Sequence, residues 1–225
     1  MLYQLQHVRD NIRNREGKRV FYLGKGDQLT SDARDFLTRE RIEILPADRA
    51  RPERYRLLSG AYLEEKPEHM THLHGDLLVP KTHPRIAFRG AMDTLEAELL
   101  LCALAVPGCR GELEEILSHA RQLIRCDVLD TPVEPQNLCG LSPAELRSHS
   151  HRPQDYYGKP HFMPGVEDGT AVLHLNRARC AARTAELAAV RAFQDEWGNP
   201  TRPDILQALN RLSSALYILM IKVKQ

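Results

Sequence analysis

The rhythm of apolar residues changes near residue 80. From there on they recur at three- and four-residue steps: Ile86, Met92, Leu95, Leu99 and Ala103 in one segment, then Leu113, Ile116, Leu117, Leu123 and Ile124 in the next. That spacing is the period of an amphipathic helix. Pro84 suits the first turn of the first helix and Pro107-Gly108 ends it. The second helix is predicted over about 111–128. The stretch 131–165 is rich in Pro, His and Tyr. One short helix is expected there after Ser142, where Ser-Pro-Ala-Glu has the form of an N-cap and first turn. Two long helices close the pattern, over about 170–197 and 203–224. The joint between them, Gly198-Asn199-Pro200, is short and favours antiparallel neighbours.

The first 45 residues read differently. Arg19 to Leu23 is a β-rich run, Gly24-Lys-Gly-Asp27 a turn, and Thr30 or Ser31 caps a helix reaching Arg39, with a second strand over 42–45. Between 46 and 68 lie three prolines and many charges without clear period, the composition of a linker or lid. The expected division is a small αβ segment over 1–46, a linker over 47–75 and a helical domain over 76–225. Four long helices with one interrupted connection make an all-α core, a bundle of about five helices, the economical fold.

Composition narrows the partners. The 225 residues carry a net charge of +1, without the basic surplus of a nucleic-acid binder. No apolar run reaches the roughly 18 to 20 residues that cross a bilayer. The longest, near Ala215 to Ile221, shares its helix with Asn210 and Arg211. The N-terminus mixes charges and lacks the apolar block of a signal peptide. Five cysteines, Cys102, Cys109, Cys126, Cys139 and Cys180, are scattered with no Cys-x-x-Cys pair, as expected for free thiols in the cytoplasm.

Three polar patches carry candidate chemistry. On the helix over 170–197, Asn176, Arg179, Arg183 and Glu186 share one face, Arg177 and Arg191 add charge, and lysine is absent. A solvated helix face is one reading. The other is a grip on phosphate or carboxylate, which the planar arginine fork matches in pairs; the rows of Leu175 and Leu187 would border that face with core. In the last helix Ile205, Leu206, Leu209, Leu212, Leu216, Leu219 and Met220 wrap much of the circumference, interrupted by Asn210, Arg211, Ser213 and Ser214. Buried polar groups need partners, either inside the bundle or on a ligand between helices. Lys81, Arg85, Arg89 and Asp93 are spaced by fours at the start of the first long helix, as a surface ladder or as a phosphate grip with an orienting acid.

At these patches the chain resembles the corrinoid adenosyltransferases of the ethanolamine-utilization type, cousins of the propanediol-utilization ATP:corrinoid adenosyltransferases. The stretch Lys81-Thr-His-Pro-Arg-Ile-Ala-Phe-Arg-Gly-Ala-Met-Asp93 resembles the opening of the family's first bundle helix. Leu175-Asn-Arg-Ala-Arg179, with Arg183 and Glu186, resembles its Arg-rich helix. Arg202-Pro-Asp-Ile-Leu-Gln-Ala-Leu-Asn-Arg-Leu-Ser213 resembles its C-terminal signature and is the most specific match. Thr30-Ser-Asp-Ala-Arg-Asp-Phe-Leu also resembles a stretch near the family's N-terminus.

The resemblance implies transfer of the 5′-deoxyadenosyl group of ATP to cob(I)alamin. Lys81, Arg183, Asn210 and Arg211 would hold the nucleotide with Mg²⁺, and Arg85 and Arg89 would join that grip. Asp93 and Arg179 would pair on the corrinoid side, Phe162 would wall off the lower axial face of the corrin, and Glu186 would steady Arg183. It also implies a bundle of ferritin-like appearance and a homo-oligomer, a trimer being usual. The partners would be an electron-donating reductase and ethanolamine ammonia-lyase or microcompartment proteins. A non-catalytic module that delivers adenosylcobalamin is the alternative. A metal-binding bundle is disfavoured, since it would need inward Glu and Glu-x-x-His pairs.

Two departures stand out. Relatives of this type carry a His and a Cys-Cys-x-x-Cys cluster ahead of the first bundle helix, whereas residues 46–75 here hold no cysteine. His69, His72 and His74 alone are a weak ligand set, so no metal is expected. The propanediol-type phosphate loop Thr-Gly-Asp-Gly-Gly also has no trusted counterpart, and Gly24-Lys-Gly-Asp27 reads as an ordinary turn.

Overall fold

The structure, a computed structural model, describes residues 2–15, 18–47 and 55–224. They divide into two units. One comprises the chain up to Tyr55 with Tyr62–Glu65, the other Arg56–Ala61 and everything from Lys66 on.

The first unit holds β1 (Leu2–Tyr3), α1 (Leu5–Asp10), β2 (Arg13–Arg15), β3 (Lys18–Leu23), β4 (Gln28–Leu29), α2 (Ser31–Arg39) and β5 (Glu43–Pro46). β3 pairs antiparallel with β2 and parallel with β5, Phe21 opposite Ile44. This is the expected strand–helix–strand unit, enlarged by β1, α1, β2 and β4, which are too short to show a period. The turn at Gly24 to Asp27 joins β3 to β4, with the Asp27 N–H donating to Gly24 C=O and Gly26 at φ 87°. Val8, Phe21, Leu29, Ala33, Leu37 and Ile42 form its core. α2 ends without glycine: Arg41 takes φ 53°, and the N–H groups of Arg41 and Ile42 close onto Thr38 and Leu37. Burial of Ile42 against Leu37 offsets the roughly 1 kcal/mol that the left-handed conformation costs a side chain.

The linker expected over 47–75 lies in part on residues 48–54, outside the described residues. Its later portion contains strands, β6 (Tyr55–Leu57), β7 (Tyr62–Leu63) and β8 (Met70–His74), followed by β9 (Leu77–Pro80). β8 and β9 form an antiparallel hairpin, with Gly75 at φ 52° in the turn, and β6 runs parallel to β9. Leu73, Leu77 and Val79 give this sheet an apolar side, against which Ile86 packs.

The rest is helical: α3 (Pro84–Ala105), α4 (Arg110–Leu129), α5 (Pro143–His151), α6 (Pro153–Tyr157), α7 (Gly169–Ala192) and α8 (Pro203–Val223). α7 packs between α3 and α8, α4 packs on α3 and α8, and α5 packs on α8. α3 and α7 are antiparallel, since Phe88 meets Phe193 at one end (ring centroids 5.3 Å apart) and Glu98 meets Arg177 at the other (2.7 Å). The side of α7 that faces this core is Ala178, Ala182, Ala185 and Ala189, all fully buried. Small residues there let two helices approach α7 closely, because the contact side chains set the interaxial distance. The larger side chains come from the neighbours: Phe88, Met92, Leu95 and Leu99 from α3, Leu209, Leu212 and Leu216 from α8.

Two termini explain how the helices are placed. Ser142 caps α5 through a reciprocal pair: its hydroxyl accepts from Glu145 N–H, and the Glu145 carboxylate accepts from Ser142 N–H. α8 starts at Pro203, with Arg202 forking onto Asp204 (2.8 Å) while Val133 N–H donates to the same carboxylate (2.9 Å). Burial would raise the Asp204 carboxyl, yet these donors and the Arg202 charge bring it down to about 2.

α7 is shorter than its apolar pattern suggests, ending at Ala192 instead of 197. Asp195 decides this. Its carboxylate accepts the N–H groups of Trp197 and Asn199, a turn that competes with the helix, and Trp197 is left exposed. Leu187, which the spacing placed beside the core, is 64% exposed.

Candidate functional site

The polar positions of α8 form one stripe. Asn210, Ser213, Ser214 and Tyr217 stand at i, i+3, i+4 and i+7, and all four line a cleft of about 420 Å³. Arg179 and Arg183 come to it from α7, Ser150 and His151 from the end of α5, and His161 and Phe162 from the loop after α6. Six residues singled out from sequence therefore share one cavity: Phe162, Arg179, Arg183, Asn210, Ser213 and Ser214. Tyr217, His161, His151 and Ser150 went unnoticed. For Tyr217 a signal existed, since it completes the heptad of polar positions that begins at Asn210.

The electrostatics of the cleft are unbalanced. Arg179 donates through Nε and Nη2 to Asn176 Oδ1 (3.2 and 3.0 Å), and its Cζ lies 5.9 Å from the Tyr217 ring centroid. Arg183 makes no hydrogen bond or ion pair with any described residue. Among the described residues no carboxylate lines the cleft. Glu186 does not pair with Arg183; its Oε1 accepts from Asn210 Nδ2 at 3.0 Å. That bond turns the amide oxygen of Asn210 the other way, as an acceptor for a ligand. A cleft with two guanidinium groups, an amide and hydroxyls, and no acid, suits an anionic guest.

The remaining predicted residues lie elsewhere. Arg85 and Arg89 converge on Asp127 of α4, which is fully buried: Arg85 Nε to Oδ1 is 2.8 Å and Arg89 Nε to Oδ2 is 2.7 Å. Arg85 Nη2 also reaches Asp127 C=O (2.7 Å), and Arg89 Nη2 reaches Leu73 C=O (2.8 Å). Through these bonds the two arginines brace α3, α4 and β8; they are not among the cleft residues. Lys81 is exposed in the turn before α3, and Asp93 is exposed on α3. Within the chain Asp93 does not meet Arg179, whose partner is Asn176. Arg211 faces away from the cleft, only 6% exposed, and its Nε and Nη1 have no partner among the described residues. Burial and the like charge of Arg147 lower its pKa, and Glu186 opposes them.

A Mg²⁺ ion bound by protein carboxylates does not fit this cleft, given its donor set. Among the described residues no three of His, Cys, Asp and Glu gather within reach of one ion, and His69, His72 and His74 are all exposed. No described helix is long and apolar enough to cross a membrane.

The family model for cobalamin adenosyltransferase matches residues 61–223, a span that contains the whole cleft. The chain belongs to that family. Among curated relatives, corrinoid adenosyltransferase EutT of Salmonella typhimurium is 38% identical over 159 residues, which is 70% of this chain and 59% of that protein. The protein of the same name from Escherichia coli K12 is 37% identical over the same share. The match thus spans about three fifths of the length of these cobalamin adenosyltransferase relatives. No solved structure matches the chain.

Proposed function

We propose that this chain transfers the 5′-deoxyadenosyl group of ATP to cob(I)alamin, giving adenosylcobalamin and triphosphate. The observation that carries the reading is the Arg183 guanidinium, unpaired among the described residues, sharing one cleft with Asn210 and Phe162 in a member of this family. The electron pair of the cobalt(I) substrate forms the bond to C5′ of ATP while the C5′–O bond breaks, and its electrons leave with the triphosphate. Arg183 and Arg179 offer fixed positive charge where the leaving oxygen becomes anionic, and Asn210 fixes the nucleotide. Mg²⁺ arrives as a counter-ion of the triphosphate. Phe162 is an apolar wall that keeps water and the displaced base from the lower face of the corrin, which eases reduction of the cobalt(II) substrate.

The helices α3, α4, α5, α7 and α8 are the bundle that supports this chemistry, within an adenosyltransferase region over 76–225. Lys81 and Asp93, both exposed, serve sites completed in a homo-oligomer, a trimer, where Asp93 is available to Arg179 of a neighbouring copy. An electron-donating reductase supplies cob(I)alamin, and the setting is ethanolamine utilization in the cytoplasm or its microcompartment.

Purified protein mixed with MgATP and chemically reduced cobalamin should shift the cobalt absorption spectrum to that of the alkylated form. A spectrum that stays unalkylated, with adenosylcobalamin still bound on addition, would replace catalysis by a delivery role.

A further inference from the structure

Phe162 lies in a segment with no scaffold of its own. Residues 159–164 belong to no helix or strand and make no backbone–backbone hydrogen bond with described residues. Phe162 packs against the edge of the helical core, Lys159 ties the segment to the carbonyls of Ile221 and Lys224, and the hydrogen bond on Phe162 itself comes from a side chain. The Phe162 N–H donates to Tyr217 Oη at 3.3 Å, its ring lies 6.0 Å from the Tyr217 ring at 26°, and Lys224 Nζ sits 4.1 Å from its centroid. The Tyr217 hydroxyl is also 3.0 Å from His161 Nδ1, and His161 Nε2 is 3.1 Å from His151 C=O. A carbonyl only accepts, so Nε2 carries a proton, and in the neutral imidazole Nδ1 accepts from the tyrosine. The proton order is then fixed: Phe162 N–H to Tyr217 O–H to His161 to the end of α5, each group satisfied and each bond polarising the next.

We propose that Tyr217 is the positioning residue for Phe162, with His161 as its second support. Tyr217 is two helical turns from Asn210, about 10 Å along α8 at 1.5 Å per residue. One rigid helix therefore sets the nucleotide grip at one end and the corrin wall at the other, and the Tyr217 ring also carries the Arg179 guanidinium on its face. The inference rests on the adenosyltransferase reading. It assigns Tyr217 to the step that depends on Phe162, the acceptance of one electron by the cobalt(II) substrate.

The test is Tyr217→Phe, which keeps the ring and removes the hydroxyl. Two assays are compared, one starting from cob(II)alamin with a reduced flavin as one-electron donor, the other from cob(I)alamin made beforehand with borohydride. The first should fall about tenfold and the second by less than about threefold, the scale of one or two lost hydrogen bonds. The four-coordinate cob(II)alamin signal in electron paramagnetic resonance with ATP should fall in parallel. Equal losses in both assays, or an unaltered signal, overturn the proposal. Should Tyr217→Phe not fold, His161→Ala carries the test, with the same split at smaller size, and its absence is again decisive. Wild-type protein inactive even with pre-reduced cob(I)alamin would instead remove the adenosyltransferase reading.

Discussion

Arg85 and Arg89 on α3, and Arg179 and Arg183 on α7, share a four-residue spacing, and their helices pack against each other. Their chemical states differ. The first pair surrounds Asp127, an acid with no exposure, and also donates to main-chain carbonyls. The second pair faces no carboxylate: Arg179 rests on an amide and an aromatic face, and Arg183 on nothing within the described residues. Spacing on one helix shows only that two guanidinium groups share a face. What stands across from them decides whether they hold the fold together or remain available to a ligand.

The largest effect expected from this contrast is at Asp127. Asp127→Ala leaves two arginines around an empty, buried acceptor position and should destabilise the fold by about 3–5 kcal/mol. Chemical denaturation of the variant measures it. A loss under about 1 kcal/mol would mean that Arg85 and Arg89 are not held there, and would return them to the list of ligand residues. Next comes Arg183→Ala, with the opposite profile. Its thermal midpoint should match the wild type, since no internal bond is lost, while kcat/KM for ATP falls about 100-fold, as when one charge-stabilising donor is removed. Arg183→Lys should recover only part of the rate, because an ammonium lacks the planar fork. A stability loss with normal turnover would merge the two pairs into one class.

Much of this contrast was beyond the reach of the sequence, for a definite reason. The helices were legible because apolar spacing is local: the limits of α3, and the Ser142 cap of α5, follow from neighbours within four residues. The cleft was half legible, because Arg179, Arg183 and Asn210 lie on helix faces that spacing defines. Asp127 was invisible as a partner. It lies 42 residues from Arg85, inside a helix read only for its leucines and isoleucines. Phe162 came from the family resemblance, and its anchor Tyr217, 55 residues away, came only with the fold. Strands β8 and β9 were not legible because β9 is an apolar run that does not alternate and β8 follows a segment of prolines and charges.

The α8 entrance sharpens the comparison in a third way, as an arginine saturated by an acid on its own helix start. Because the folded Asp204 carboxyl sits at about 2, below its ordinary 3.8, its contribution is complete above the ordinary value and disappears as pH falls from 3.8 toward 2. Asp204→Asn should cost about 2 kcal/mol at pH 7, and the gap from wild type should close by pH 2. Urea midpoints at pH 7, 4 and 2 report it. A gap that stays constant with pH would show that Asp204 acts through shape and not through charge.

The smallest expected effect lies at His83, beside the saturated pair. His83 is the N-cap of α3, and its Nδ1 accepts the Arg85 N–H at 3.2 Å, so the cap needs the neutral imidazole. Burial, then the charges of Arg85 and Arg89, hold its pKa below the ordinary 6.5. The unfolded chain therefore takes up this proton first, and stability declines as pH drops through 6.5 until the folded imidazole is protonated as well. His119, also lowered by burial, acts in the same direction, so the measurement must be a difference between variants. His83→Asn keeps a capping acceptor that does not titrate. Between pH 7 and pH 5 the wild type should lose about 0.5–1 kcal/mol relative to this variant, the size of one helix cap. Parallel curves for the two proteins would mean that the imidazole does not cap α3, and that Arg85 and Arg89 are positioned by Asp127 alone.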